Sequence, residues 1–237
     1  MTLILLEHDP ATWRLMAYRR TENVVRRLTA RKDAIIAAAR AAAVEGGMAA
    51  VQIAPIAARA DIAAGTFYRY FPGKTELLAA LIDSVSASEV AAVRRAADAA
   101  PGPLSALAAA VMTFAARALR NRQLTFALIA EPVDADVNVI RLGYRKALAV
   151  EFEARVRSAI AAGHLPEQDA TLAAPALVGA LMEGLIGPLA PEIAGDVVKA
   201  RTAVQELALF ALRALGVADA HARGIVVQTL LPEENGA

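Results

Sequence analysis

Residues 52–77 read Gln-Ile-Ala-Pro-Ile-Ala-Ala-Arg-Ala-Asp-Ile-Ala-Ala-Gly-Thr-Phe-Tyr-Arg-Tyr-Phe-Pro-Gly-Lys-Thr-Glu-Leu. Ile53, Ile56, Ala57 and Ala60 recur at helical spacing and form the inner face of a first short helix. Pro55 falls in its first turn, where a missing N–H matters least. Asp61 marks a turn, and Asp accepts the left-handed conformation better than most residues with a side chain. Ile62, Phe67 and Phe71 then plug the core of a small bundle, which leaves Ala63, Ala64, Gly65, Thr66, Tyr68, Arg69 and Tyr70 on or near its outer face. Pro72, Gly73 and Lys74 follow and open a long helix. This is the layout of a helix-turn-helix, whose second helix enters a DNA major groove.

The residue types on the outer face match that task. Small residues at 63–65 let the backbone come close to a groove. Thr66, Tyr68 and Tyr70 offer hydroxyls to phosphate oxygens. Arg69 is placed for a bidentate contact to guanine, worth ~1–3 kcal/mol of discrimination. Lys74 and the free N–H groups of the helix it opens can jointly hold a phosphate. Phe67 and Phe71 read as plain core, whereas the hydroxyls of Tyr68 and Tyr70 and the Arg69 between them favour a binding surface. Gly73-Lys74-Thr75 looks like the end of a nucleotide-binding loop, but the earlier glycine such a loop needs would fall on Tyr68, and no strand precedes it.

Ile56-Ala57, Ala60, Ile62, Gly65 through Phe71, Lys74 and Leu77 together resemble the DNA-binding domain of the TetR/AcrR family of transcriptional regulators. The specific match covers about residues 30–80, and the remainder is similar in length and helical layout. The resemblance implies an all-α protein: an N-terminal three-helix helix-turn-helix DNA-binding domain followed by a C-terminal helical ligand-binding and dimerisation domain. It places Gln52 where the family has a capping, phosphate-touching Thr or Ser, puts Tyr68, Tyr70 and Lys74 on phosphate-contact positions, and turns Ala64, Gly65, Thr66 and Arg69 to bases or the adjacent backbone. Three positions depart from the pattern: Asp61 replaces a turn glycine, Ala63 a Ser or Thr, and Gln52 a better cap. Lost side-chain caps cost ~1 kcal/mol each, so a less rigid domain is expected.

Composition agrees with this reading. Of 237 residues, 57% are hydrophobic and only 5% aromatic, with few strand-favouring runs, so an all-helical chain is expected. Net charge is +1, unevenly spread: residues 1–75 hold 11 Lys/Arg against 6 Asp/Glu, and residues 76–237 hold 14 against 18. A basic front and an acidic remainder suit DNA binding at one end. There is no cysteine, which excludes disulfides. His8, His164 and His221 lack metal-ligand spacing, so no metal or cofactor is expected. Mean hydropathy is +0.43, yet the apolar runs at 104–116 and 170–182 stop at Arg117 and Glu183, short of the ~20 residues a membrane span needs. A soluble cytoplasmic protein is expected, with no membrane partner.

The chain divides into a basic N-terminal extension (1–28), the helix-turn-helix domain (29–80) and a helical domain (81–237). In the extension, Asp9 and Pro10 suit a helix start, and Arg14, Arg19, Arg20, Arg26 and Arg27 suit an added helix, an arm on DNA or a solvated leader. A helix is expected over about 30–45, stopped by Gly46-Gly47, and another from Lys74 to about 98. Pro101-Gly102-Pro103 is the clearest break, followed by helices near 104–121, 123–131, 136–162, 167–188, 196–215 and 219–230.

Helices 167–188 and 196–215 are too apolar to face water on their wide sides. The resemblance implies that they pair with their copies in a second subunit, so that a homodimer grips a palindromic operator. It also implies a pocket for a small apolar or amphipathic effector, with Met112, Phe114, Phe126, Ile129, Tyr144, Leu148, Phe152, Leu181 and Met182 as lining, although each also suits ordinary core. Arg141, Arg145 and Glu183 suit either a ligand's polar end or a structural ion pair. The expected function is a homodimeric repressor released from DNA by its effector. The alternatives are a regulator without an effector and an all-helical enzyme or lipid carrier. Ser105 and Ser158 have no nucleophile motif and no carboxylate pair stands out, so no enzyme is expected.

Overall fold

The structure, a computed structural model, describes residues 10–193 and 196–229, with side chains from residue 24 onward. Ten helices and no strand occur among these residues. The first, α1 (Pro10–Ala50), begins at Pro10 and not near residue 30. Nothing between Pro10 and Gly46 ends a helix: the segment has no further Pro or Gly and is rich in Ala and Arg. Asp9, read as its cap, lies outside the described residues. The expected stop is present inside α1, where Gly46 (φ −149°, ψ 25°) and Gly47 (φ 69°, ψ −166°) leave helical geometry.

The chain then forms α2 (Ile53–Arg59), α3 (Ala64–Phe67) and α4 (Lys74–Asp98). Ile35 and Ala39 of α1, Ile56 of α2, Phe67 of α3 and Leu77 and Leu81 of α4 are fully buried, so the four segments share one core. The second half of α4 leaves this bundle and packs against α5 (Pro103–Arg120) and α7 (Ala135–Ala161). Between these two lies α6 (Arg122–Ile129), which packs against α1.

Helix α5 is the spine of the second half. Alanines 106, 108, 109, 110, 115 and 118 are all buried, and their small side chains let α4, α7 and α9 (Val197–Ala214) close around it. Helix α8 (Ala170–Leu185) starts at Ala170, three residues later than expected, because Asp169 caps it by accepting the Thr171 N–H at 2.8 Å. Helix α10 (Asp219–Gln228) closes the described chain. No helix among the described residues is long and apolar enough to cross a membrane.

Three ion pairs brace α4. Arg117 of α5 meets Glu89 at 2.6 Å, Arg155 of α7 meets Asp98 at 2.8 Å, and Arg94 meets Glu151 of α7. A fourth joint links α1 to the segment after α6: the Glu131 carboxylate accepts the Met48 N–H at 2.8 Å. From the other side, Arg141 of α7 donates to the Glu131 carbonyl at 2.5 Å and to the Ala127 carbonyl at 2.6 Å.

Gly47 makes the joint at Met48 feasible. Its φ/ψ lies in a region open essentially to glycine alone, and a Cβ there would sit 2.7 Å from a Glu131 carboxylate oxygen. Gly47→Ala is expected to destabilise the protein by ~1–3 kcal/mol, read as a lower urea midpoint with an unchanged m-value.

Candidate nucleic-acid interface

Helix α2 ends at a turn in which Asp61 takes φ 54°, the conformation expected for a residue standing in for glycine. Its N–H reaches the Ala58 carbonyl at 3.1 Å, and the Ile62 N–H reaches Ala57 at 3.0 Å. Ala63 enters α3 in extended geometry with no side-chain cap. Gln52 occupies the cap position of α2 but does not cap it; its Nε2 donates backward to the Ala49 carbonyl at 2.8 Å. Both departures from better caps thus have the local consequence expected of them.

Helix α3 has four residues and runs into two tighter turns, Arg69 N–H on Thr66 O at 3.2 Å and Tyr70 N–H on Phe67 O at 2.9 Å, before Phe71 N–H returns to helical spacing on Phe67 O at 3.1 Å. The segment is anchored from below. Phe67 and Phe71 are buried with ring centroids 5.7 Å apart, and Lys32 of α1 lies 5.5 Å from the Phe71 centroid. Tyr68 packs edge-on against Phe67 while remaining 56% exposed.

Ala64, Gly65 and Arg69 are exposed, Thr66 and Tyr70 half-buried, and Lys74 half-buried at the start of α4. These residues and Gln52 lie on the helix-turn-helix unit, with the two phenylalanines beneath the 64–70 segment. Gly65 has ordinary helical backbone, and a Cβ added there meets nothing within 4 Å. The fold itself therefore gives no reason for glycine at 65, and the open space lies on the outer surface. On the far side of α2, Arg59 donates to both Glu45 carboxylate oxygens (3.0 and 2.7 Å), which holds the Glu45 carboxyl below its usual range.

The residues named for an effector pocket fall into separate groups. Met112, Phe114, Leu148, Phe152 and Leu181 are buried members of the general core, as is Ile129. Phe126 is exposed on α6 and stands apart from them. Tyr144 lines a cleft of about 520 Å³ between α4 and α7, with Asp83, Ser86, Val90, Arg94 and Ile140. Burial pushes its hydroxyl pKa well up, helped by the Glu89 carboxylate and opposed by Arg117. Arg145, Met182 and Glu183 meet in a second cleft of about 490 Å³ between α7 and α8. Arg141 does not join them: it is 5% exposed and engaged with two backbone carbonyls, and burial lowers its pKa. Of the two tasks its sequence position suited, the structure gives it a structural one, though with carbonyls in place of an ion-pair partner.

Sequence reasoning missed Glu131 and the α4 side of the Tyr144 cleft. Glu131 gains its role from a partner 83 positions away, which no local pattern announces. Asp83, Ser86 and Arg94 do share one helical face, yet that pattern equally describes a solvated surface.

Residues 35–81 match the family model described as "Bacterial regulatory proteins, tetR family". The chain is 37% identical over 108 residues to the HTH-type transcriptional repressor KstR of Mycobacterium tuberculosis (strain ATCC 25618 / H37Rv), a match covering 46% of this chain. It spans about half that relative's length (49%). Among solved structures, the SmeT–triclosan complex superposes with a TM-score of 0.67 at 23% identity, covering 88% of this chain and 100% of that one. RolR in complex with resorcinol gives a TM-score of 0.63 at 22% identity, covering 88% and 98%. These two likenesses establish the fold.

Two substitutions separate binding from folding. Gly65→Ala is expected to raise stability by ~0.5–1 kcal/mol while weakening duplex binding. Arg69→Ala is expected to leave the unfolding midpoint unchanged and to cost ~1–3 kcal/mol of operator affinity with relaxed specificity. Paired denaturation and fluorescence-anisotropy titrations read both; a Gly65→Ala protein with full affinity would remove that residue from the interface.

Proposed function

We propose that the protein, whose residues 35–81 match the family model of the bacterial tetR regulators, is a homodimeric transcriptional repressor released from its operator by a small, largely apolar ligand. One observation carries the DNA-binding part of the proposal. The 64–69 surface is exposed, small-residued at its start and basic at its end, and it rests on buried aromatics that fix its shape. Such a surface reads base edges through Arg69 and holds phosphates through Tyr68, Tyr70 and Lys74.

The cleft between α4 and α7 is the site proposed for the effector. It places Tyr144 and Arg94 beside apolar side chains from two helices. One of those helices, α4, begins in the DNA-binding domain. A ligand that spreads α4 from α7 works against the Arg94–Glu151 and Arg155–Asp98 pairs and tilts the lever that starts at Lys74. Coupling of ~1–3 kcal/mol between ligand and DNA would suffice. KstR is a repressor, and SmeT and RolR bind triclosan and resorcinol, which supports a small organic effector for this chain too.

Helices α8 and α9 are the proposed dimer contact. Leu172 of α8 and Phe210 of α9 are exposed, and Gly184 brings the two helices close, with a Cβ there 3.2 Å from Leu207. A two-fold pair would present its recognition segments to half-sites ~34–36 Å apart or a multiple of that.

Selection of genomic DNA fragments by the purified protein is expected to recover a palindrome, with one dimer per half-site pair by sedimentation. A monomer that enriches no sequence would overturn the proposal. In a thermal-shift screen of small aromatic and lipid metabolites, a ligand that stabilises the protein should also lower its operator affinity; one that stabilises without releasing DNA would overturn the effector half.

A further inference from the structure

Residues 24–34 of α1 have no role in the core. Among the residues whose side chains are described, every one from Val24 to Ala34 is exposed, and the first buried one is Ile35. The helix nevertheless runs unbroken from Pro10, so residues 10–34 project as a rod of ~37 Å, about one turn of duplex DNA. That stretch holds seven Lys/Arg (Arg14, Arg19, Arg20, Arg26, Arg27, Arg31 and Lys32) against Glu22 and Asp33. Its base is continuous with the DNA-reading surface. Val24, Arg27, Leu28, Arg31 and Ala34 line a cleft of about 450 Å³ whose other wall is Tyr70. Arg27 and Arg31 lie one helical turn apart on the cleft side, and Arg31 also reaches the Ala60 carbonyl at 3.4 Å.

We propose that this projecting half of α1 is a second DNA-binding element, in which Arg27, Arg31 and Tyr70 grip the phosphate backbone flanking the base pairs faced by Ala64–Arg69. The inference rests on the DNA-binding reading above and lengthens the footprint beyond the helix-turn-helix. Two guanidiniums one turn apart beside a tyrosine suit successive phosphates of one strand. The exposed Val24, Val25 and Leu28 would also suit a second copy of this helix. Charge argues against that pairing, because two such rods laid together would oppose their arginine-rich faces, and like charges brought together at an interface cost several kcal/mol. DNA removes that penalty by supplying the opposite sign.

The test is the salt dependence of binding by the full-length protein to a labelled duplex of ~40 base pairs, between ~50 and ~200 mM KCl. Replacing both arginines (R27A/R31A) is expected to make the slope of log K against log salt shallower by ~0.9 for each phosphate no longer neutralised, or ~1.8 per subunit. Arg27→Ala alone, which leaves the Arg31–Ala60 hydrogen bond in place, should give about half that change, and R27K/R31K should retain the parental slope. An R27A/R31A protein that binds with the parental slope and affinity would overturn this inference while leaving the regulator reading intact. A change in oligomeric state without a change in slope would assign the surface to a second copy and overturn it equally. No duplex binding by the parental chain would overturn both readings.

Discussion

The burial of Phe67 and Phe71 is the constraint on which the shape of the proposed DNA-facing surface depends. Helix α3 has only four residues, and a helix that short has no stability of its own, because nucleation costs more than so few hydrogen bonds return. Its shape comes from below: two aromatic rings seated in a pocket made by α1, α2 and α4. Once those rings are placed, the backbone between them has little freedom, and Tyr68, Arg69 and Tyr70 are presented as a set. The missing side-chain caps at Gln52 and Ala63 make this dependence greater, since the backbone termini contribute less than they would in a capped domain.

Two physical links join that surface to the second half of the molecule. Helix α4 is shared, starting beside α3 and ending among ion pairs with α5 and α7. The second link passes through Glu131, whose carboxylate holds the turn after Gly47 and whose carbonyl is held by Arg141. Arg141 is a buried cation whose two terminal nitrogens donate to carbonyl oxygens while its Nε has no partner, so displacing it would leave those carbonyls unpaired as well. Helix α7 is therefore connected to the helix-turn-helix bundle in two ways, one through α4 and one through the segment after α6.

Much of the helix-turn-helix was legible because its signals are local. Asp61 at the turn, Gly46-Gly47 at the break in α1 and Lys74 at the start of α4 each act through their own backbone, and each appears where the residue type led one to expect it. Burial of Phe67 and Phe71 beneath exposed Tyr68 and Arg69 followed from helical spacing in the same way. The second half was legible as helices and breaks but not as a site. Leu148 and Phe152 of α7 are core, Phe126 of α6 faces out, and Arg141 and Arg145 part company although one turn separates them. An apolar side chain in a helix carries no mark that distinguishes pocket from core.

The sequence by itself determined the helical class, the positions of the chain breaks and the place of the helix-turn-helix, because periodicity, glycine and proline act within a few residues. Tertiary structure alone decided that residues 24–34 of α1 lie exposed with Tyr70 beside Arg27 and Arg31, that Glu131 closes onto Met48, and that Tyr144 shares a cleft with α4. Each of these joins residues tens of positions apart. Such pairings follow from how whole helices pack, and helix packing depends on the summed fit of many side chains, not on any short run of them.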